Sequence, residues 1–124
     1  MRGSPIRVDT AVDERTAIES IERARAETLR LVDALTRQRD AIVEASAFTS
    51  NDDEHDPEGA TIAFERAQVL AMLRQAQDDL ADLDRATQRV RAGSYGECER
   101  CGGPIADGRL AARPAARTCI KCAR

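Results

Sequence analysis

Residues 50–58 read SNDDEHDPE, and this short stretch decides how the rest of the chain folds. It holds five acidic side chains and no Lys or Arg, and Gly59 follows it. Pro57 lacks the backbone N–H that a helix interior requires, which argues against one continuous helix through this point. Proline is favoured at the first position of a helix, and Asp56 before it is a suitable cap. We therefore predict a turn here, with a second helix starting at Pro57.

Long helical patterns lie on both sides of this turn. In each, a series of mostly apolar or small residues recurs in alternating steps of four and three, with no Gly or Pro inside the series. This spacing is typical of amphipathic helices with a coiled-coil seam. Each series covers 29 residues, and 29 residues form about 40 Å of helix. The first series is Ala17, Ile21, Ala24, Thr28, Leu31, Leu35, Gln38, Ile42 and Ala45, and the second is Ile62, Arg66, Val69, Leu73, Ala76, Leu80, Leu83, Thr87 and Val90.

The two series mirror each other about the turn. The numbers of Ala17 and Val90 add to 107, and those of Leu35 and Leu73 add to 108. Both seams therefore come into register when the chain folds back near residue 53, which predicts an intramolecular antiparallel hairpin over residues 15–92. The alternative is a single helix that pairs with a second chain.

All four cysteines lie beyond the second helix, in the spacing Cys98-x2-Cys101-x17-Cys119-x2-Cys122. Two C-x-x-C pairs separated by 15 to 20 residues are typical of a four-thiolate zinc site. Four protein ligands leave no open coordination position, so we expect one structural Zn²⁺ and no catalytic role. Disulfides and thiol redox chemistry fit less well, because we expect a reducing compartment. Residues 93–124 are therefore predicted to form a C4 zinc finger that depends on the metal for its fold.

The amino-acid composition limits the classes of protein to which the chain could belong. Aromatic residues are only 2% of the chain and charged residues 33%, which suits helices with large solvent-facing surfaces. No apolar run is long enough to span a membrane, and residues 1–14, predicted to be flexible, have no apolar block typical of a secretory signal. We therefore expect a cytoplasmic protein without a membrane partner. No pairing of nucleophile and base, phosphate loop or open metal site indicates an enzyme.

Charge is distributed unevenly along the chain. Residues 1–88 hold 11 basic and 19 acidic side chains, and residues 89–124 hold 8 basic and 3 acidic. The turn alone contributes five acids, although one acid suffices to cap a helix, and crowded like charges repel one another. We infer a functional tip that meets a bound metal ion or a basic pocket on a partner. Its candidate residues are Asp52, Asp53, Glu54, Asp56 and Glu58.

Three segments of the C-terminal region resemble the zinc finger of the DksA/TraR family. Residues 95–105 read YGECERCGGPI, residues 109–114 read RLAARP, and residues 119–122 read CIKC. The preceding hairpin with an acidic tip is similar to the architecture of the same family. At the tip, Asp53 and Asp56 keep the family's Asp-x-x-Asp spacing, whereas Glu58 stands where the family has Ala.

The resemblance implies a bacterial factor that binds RNA polymerase directly and does not read DNA sequence. In this family the hairpin enters the secondary channel of the polymerase, and its acidic tip alters the lifetime of promoter complexes. We expect Asp53 and Asp56 to act, with Asp52, Glu54 and Glu58 adding to the negative field. A monomer is expected.

Three other functions remain open from the sequence. A transcript-cleavage factor also inserts an acidic hairpin into that channel, where carboxylates position a second Mg²⁺. A nucleic-acid-binding zinc-finger protein would show direct affinity with a steep salt dependence. A structural adapter would dimerise through the hairpin seam.

Overall fold

A computed structural model describes residues 10–47 and 57–123, and the side chains of residues 14–47 and 59–123. Within these residues the helices are α1 (Thr10–Ala47), α2 (Pro57–Ala92) and α3 (Asp107–Ala112). The two long helices contain 38 and 36 residues and pack as an antiparallel hairpin. A cluster of four cysteines follows the hairpin. The predicted fold class, a mainly α chain with a long helical hairpin and a small C-terminal four-cysteine zinc finger, is confirmed.

The ends of the helices refine the predicted segments. Helix α2 begins at Pro57, the residue that the turn pattern placed at the first helical position. Helix α1 begins at Thr10, five residues before the predicted start of the hairpin at residue 15. Residues 1–9 and 48–56 lie outside the described residues, and so do most of the predicted flexible segment and most of the predicted tip.

The chain forms two compact units. The base unit comprises Met1–Ala26 and Leu80–Arg124, and the hairpin unit comprises Glu27–Asp79. In the base unit, Ile21 is completely buried, and burial of an isoleucine side chain contributes about 1.5–3 kcal/mol. The rest of this helical core is aliphatic, as expected from the scarcity of aromatic residues. Its buried members are Ala17, Ile21, Leu83, Ala86 and Val90.

The hairpin unit has a smaller core. Four buried residues form it, and two half-buried residues of α1, Val32 and Ile42, pack against them. Because only two helices contribute to this core, each can bury only the stripe that faces the other. The four buried residues are Leu35, Val69, Leu73 and Ala76.

Packing confirms the predicted register of the two helices, but four members of the two heptad series are exposed: Leu31, Gln38 and Ala45 on α1 and Arg66 on α2. Ala17 and Val90 share the core of the base unit, and Leu35 and Leu73 share that of the hairpin unit. Leu31, which the heptad pattern placed in the seam, is 45% exposed, and its neighbour Val32 packs inward instead. An α-helix drifts about 20° per heptad relative to a strict seven-residue repeat, so successive heptad positions rotate out of a seam.

Charged side chains cover much of the outward-facing surface of the helices. In the base unit Arg25 Nε lies 3.0 Å from Asp84 Oδ1. In the hairpin unit Arg37 Nη2 lies 3.1 Å from Asp33 Oδ2, one helical turn away. All four side chains are largely exposed, so each pair contributes at most about 1 kcal/mol. Across the described ranges, no helix is both long and apolar enough to cross a membrane.

Candidate metal centre

A glycine ends α2 and turns the chain into the segment that holds the cysteines. Gly93 has a φ of 81°, a left-handed conformation that side-chain-bearing residues rarely adopt. Its N–H donates to the carbonyl of Val90 over 3.1 Å, and the N–H of Ser94 donates to the carbonyl of Arg89 over 2.9 Å. This pair of bonds is a Schellman motif, which satisfies carbonyls that the helix end would otherwise leave unpaired. Residues 93–123, here called the zinc module, follow it.

The first cysteine pair is held by a tight backbone turn. Gly102 has a φ of 76°, and its N–H donates to the carbonyl of Cys98 over 2.9 Å. The N–H of Cys98 in turn donates to the carbonyl of Gly103 over 2.7 Å. Two further backbone N–H groups point at sulfur, from Arg100 to Cys98 Sγ and from Gly103 to Cys101 Sγ, both over 3.4 Å. Such N–H···S contacts stabilise thiolates, the form in which cysteine binds a metal.

The second cysteine pair faces the first. The N–H groups of Cys122 and Ala123 both donate to the carbonyl of Cys119, over 3.0 and 2.9 Å, which closes the second turn. The Sγ atoms of the four cysteines lie within 4.8 Å of one another. Cys101 Sγ and Cys119 Sγ are 3.8 Å apart. Two sulfurs bound to one Zn²⁺ at about 2.3 Å in a tetrahedron are separated by about 3.8 Å.

The four predicted ligands are therefore positioned to bind one metal ion, and their chemistry fits Zn²⁺. The four sulfurs form a closed donor set, which is typical of structural zinc. Bound zinc would cross-link two turns that are 18 residues apart along the chain. The four cysteines that could hold it are Cys98, Cys101, Cys119 and Cys122.

The thiols influence one another strongly. Burial raises the pKa of Cys98, but hydrogen bonds from the backbone of Cys119, Cys101 and Arg100 outweigh it and bring the pKa to about 6. Hydrogen bonds among the thiols, with Cys98 first and Cys119 second, raise the pKa of Cys122 to about 12. Four sulfurs this close cannot all be thiolates without a cation between them. Metal binding therefore replaces protons, and metal affinity rises with pH.

A short strand-like contact and α3 complete the zinc module. Glu97 and Pro104 form an antiparallel bridge, and the N–H of Ile105 donates to the carbonyl of Gly96 over 2.8 Å. Ile105 and Ala116 are buried beneath this contact and the following loop. Only a few apolar residues are buried here, so burial alone is too small to hold a module of this size.

Two side chains fasten the zinc module to the helices of the base unit. Tyr95 packs against the core that contains Ile21, and its hydroxyl donates to the carbonyl of Pro114 over 2.8 Å. Burial raises the pKa of Tyr95, although the charge of Arg89 acts in the opposite direction. The Arg89 guanidinium is mostly buried, donates to the carbonyls of Ser94 and Glu97, and lies 3.4 Å from the Glu99 carboxylate.

These structural roles were not predicted from the sequence. Tyr95 was identified only as part of the motif at residues 95–105, and Arg89 only as one of the eight basic residues of 89–124. A signal existed for Tyr95, since the motif of the resemblance includes both Tyr95 and Pro114. No comparable signal existed for Arg89, because its acceptors are backbone carbonyls.

The predicted tip residues are not tested by this geometry. Asp52, Asp53, Glu54 and Asp56 lie outside the described residues, and the side chain of Glu58 does too. The stretch between Ala47 and Pro57, which joins α1 to α2, contains the first four of these residues, and Glu58 is the second residue of α2.

Comparison with known proteins agrees with the metal centre. A sequence model of the prokaryotic dksA/traR C4-type zinc finger matches residues 93–124. An uncharacterized protein of Aquifex aeolicus is 48% identical over 44 residues, which are 36% of this chain and 30% of that protein. The RNA polymerase-binding transcription factor DksA of Caulobacter vibrioides is 37% identical over 62 residues, which are 50% of this chain and 44% of that protein. The chain thus spans less than half the length of these curated relatives.

A solved structure shares the fold over a larger part of the chain. The transcription factor DksA2 from Pseudomonas aeruginosa superimposes with a TM-score of 0.71, covering 89% of this chain and 79% of its own. The two sequences are 23% identical, so this likeness shows the fold alone. The overall fold of this chain therefore occurs in a solved protein.

Proposed function

Because residues 93–124 match the prokaryotic dksA/traR C4-type zinc finger, we propose that the chain regulates transcription by binding RNA polymerase directly. The observation that carries the proposal is the combination of that zinc finger with a long antiparallel helical hairpin, the fold of DksA2. The identity to a DksA named as RNA polymerase-binding supports the same partner. The protein acts as a monomeric, non-enzymatic regulator in the cytoplasm, with one structural zinc ion.

The hairpin unit is the part that enters the polymerase, through the secondary channel. Its charge supports this assignment, since Glu27–Asp79 hold 12 acidic and 5 basic side chains, a net charge of −7. Five of the acids fall between residues 52 and 58. Negative charge is therefore concentrated where the chain reverses, and it suits a site that holds Mg²⁺ or basic side chains.

Asp53 and Asp56 are the residues that act on promoter complexes, with Asp52, Glu54 and Glu58 as supporting charges. Two helices that stay packed close to their ends would present this segment on a firm support. Gln38, Ala45 and other residues near the end of α1 line one cleft of about 340 Å³ together with Ile62 of α2. The helices are therefore side by side to within a turn or two of the reversal.

Direct nucleic-acid binding by the zinc module is less well supported. Tyr95 is the only aromatic residue of 93–124. Its hydroxyl is bonded to Pro114, and its ring packs against the base-unit core. It is therefore not free to stack on a base, which proteins that bind single strands commonly require.

The test is the lifetime of an open complex at a ribosomal-type promoter, measured with RNA polymerase of the same organism. The wild-type chain should change that lifetime, and Asp53→Ala with Asp56→Ala should abolish the change without loss of polymerase affinity. The matched control is Asp78→Ala with Asp79→Ala, which removes two exposed charges from α2 away from the turn. An unchanged lifetime with wild-type protein well above micromolar concentration would refute the proposal, and full activity in the tip variant would refute the role of the tip. Shortening of the transcript in backtracked complexes would indicate a cleavage factor instead.

A further inference from the structure

A groove on the zinc module takes no part in the proposed action of the hairpin. It has a volume of about 630 Å³, within the range of pockets that bind ligands and peptide side chains. One wall is α3, and the other walls are the two cysteine turns. Its lining is mostly apolar and includes Pro104, Ala106, Ala112 and Ile120. Ile120 is 78% exposed, although isoleucine is among the residues most often buried.

The groove is fixed in shape by bonds within the module. Arg109 lines it, and its Nε donates to the carbonyl of Thr118 over 2.9 Å, which ties α3 to the second cysteine turn. Cys101 and Cys119 belong to the two cysteine turns, and both line the groove. Their Sγ atoms lie 3.8 Å apart, so the two turns are in contact there. A partner would therefore bind a surface that is already formed and would avoid the entropy cost of ordering it.

Charge at the rim of the groove has one sign. Arg113 and Lys121 line it with exposed side chains, and neither forms an ion pair with any residue that the structure describes. The acids of the module are Glu97, Glu99 and Asp107, and none of them lines the groove. Arg113 and Lys121 are therefore complementary in charge to acidic side chains of a partner. The exposed side chain of Ile120 is suited to packing against an apolar side chain of the same partner.

We propose that this groove binds a short acidic segment of a partner protein. One apolar side chain of that segment packs against Ile120, and flanking carboxylates meet Arg113 and Lys121. A peptide fits better than a nucleic acid, because most of the groove lining is apolar and none of its residues is aromatic. This contact lies apart from the acidic turn and does not require that the partner be RNA polymerase.

The test begins with peptide selection on the full-length, zinc-loaded chain. A random dodecapeptide display library is selected on the immobilised protein, and the most enriched peptide is synthesised with a fluorophore. We expect enriched peptides to combine Asp or Glu with a Leu, Ile, Met or Phe. Arg113→Glu with Lys121→Glu should weaken the binding of such a peptide at least roughly tenfold, because like charges then oppose it. Ile120→Ser should weaken binding as well.

The matched control is Arg117→Glu, which reverses an exposed charge of the same module outside the groove. It should change the affinity by less than about twofold, since an exposed charge away from the contact is screened by salt. Zinc content and circular dichroism show whether each variant is folded. Failure to enrich any peptide, enrichment without acids, or equal binding to the groove variants and the wild type would each overturn the proposal. It would also be overturned if the same variants abolished binding of a short DNA duplex or self-association of the chain instead.

Discussion

The base unit and the hairpin unit both contain parts of the same two helices, but they differ in how many apolar side chains are buried. Among the residues whose side chains the structure describes, the base unit buries eight apolar residues and exposes one large one, Ile120. The described part of the hairpin unit buries four and exposes six large ones. Net charge differs too, at +4 for the base unit and −7 for the hairpin unit. The exposed residues of the hairpin unit are Leu29, Leu31, Val43, Phe64, Leu70 and Met72.

The difference shows what a third structural element does for a helical hairpin. In the base unit, Tyr95 and Ala115 of the zinc module pack on the helices and cover the sides of their seam. Among the described residues of the hairpin unit, no third element covers the flanks of the helices. Apolar side chains there stay in contact with water. The zinc module therefore adds to the core of the base unit only.

Removal of the metal should have the largest effect on stability, and this effect should be confined to the base unit. Cys98→Ser leaves three sulfurs, so residues 93–123 should lose most of the stabilisation from zinc, of order 10 kcal/mol. Amide hydrogen exchange should show loss of protection in the zinc module and retained protection in residues 27–47 and 57–79.

Ile120→Ser is the control for that variant, because it lies between two ligands but is almost fully exposed. It should keep its zinc and its protection. The contrast between the units would be refuted if Cys98→Ser lost no protection in the module, or if it unfolded the hairpin unit to the same extent.

A core substitution in the hairpin unit should have the second largest effect. Leu35 is 4% exposed, and Leu35→Ala should lower the free energy of unfolding by about 2–5 kcal/mol through lost burial and a cavity. Leu31→Ala removes the same atoms from a position that is 45% exposed and should cost less than about 1 kcal/mol. Thermal and urea unfolding of the two variants measures both. Equal losses would place Leu31 in the seam after all.

The seam and the metal site illustrate what can be predicted from a sequence. The heptad spacing and the cysteine spacing are local patterns, and they predicted the hairpin register and all four sulfurs. At Leu31 and Val32 two apolar residues are adjacent, so composition cannot choose between them, and the choice depends on the drift of the helix relative to the heptad. The role of Arg89 and the groove beside Ile120 depend on backbone carbonyls and loop geometry, which no residue spacing encodes.

A smaller effect is expected where the zinc module meets the helices. Tyr95→Phe removes the hydroxyl that donates to the carbonyl of Pro114 and keeps the packing of the ring. The variant should lose about 1 kcal/mol of stability, the usual net contribution of one hydrogen bond. Chemical unfolding of the zinc-loaded protein measures the change. A loss above about 3 kcal/mol would mean that packing of the ring had also been disturbed.

The smallest effect on folding is expected on the exposed surface of the hairpin unit. Phe64 is 69% exposed, so Phe64→Ser should change stability by less than about 0.5 kcal/mol. Phe64→Leu serves as the apolar control. If differential scanning calorimetry showed a fall of many degrees for Phe64→Ser, the side chain would belong to a core.

We propose that the hairpin unit, and not the zinc module, makes the main contact with RNA polymerase. Hydrogen exchange of the zinc-loaded chain, with and without saturating RNA polymerase from the same organism, tests this proposal. New protection is expected in residues 27–79, strongest on both sides of the turn, with little change at Cys98–Cys122. Protection confined to residues 93–123, or no protection anywhere at saturation, would contradict it.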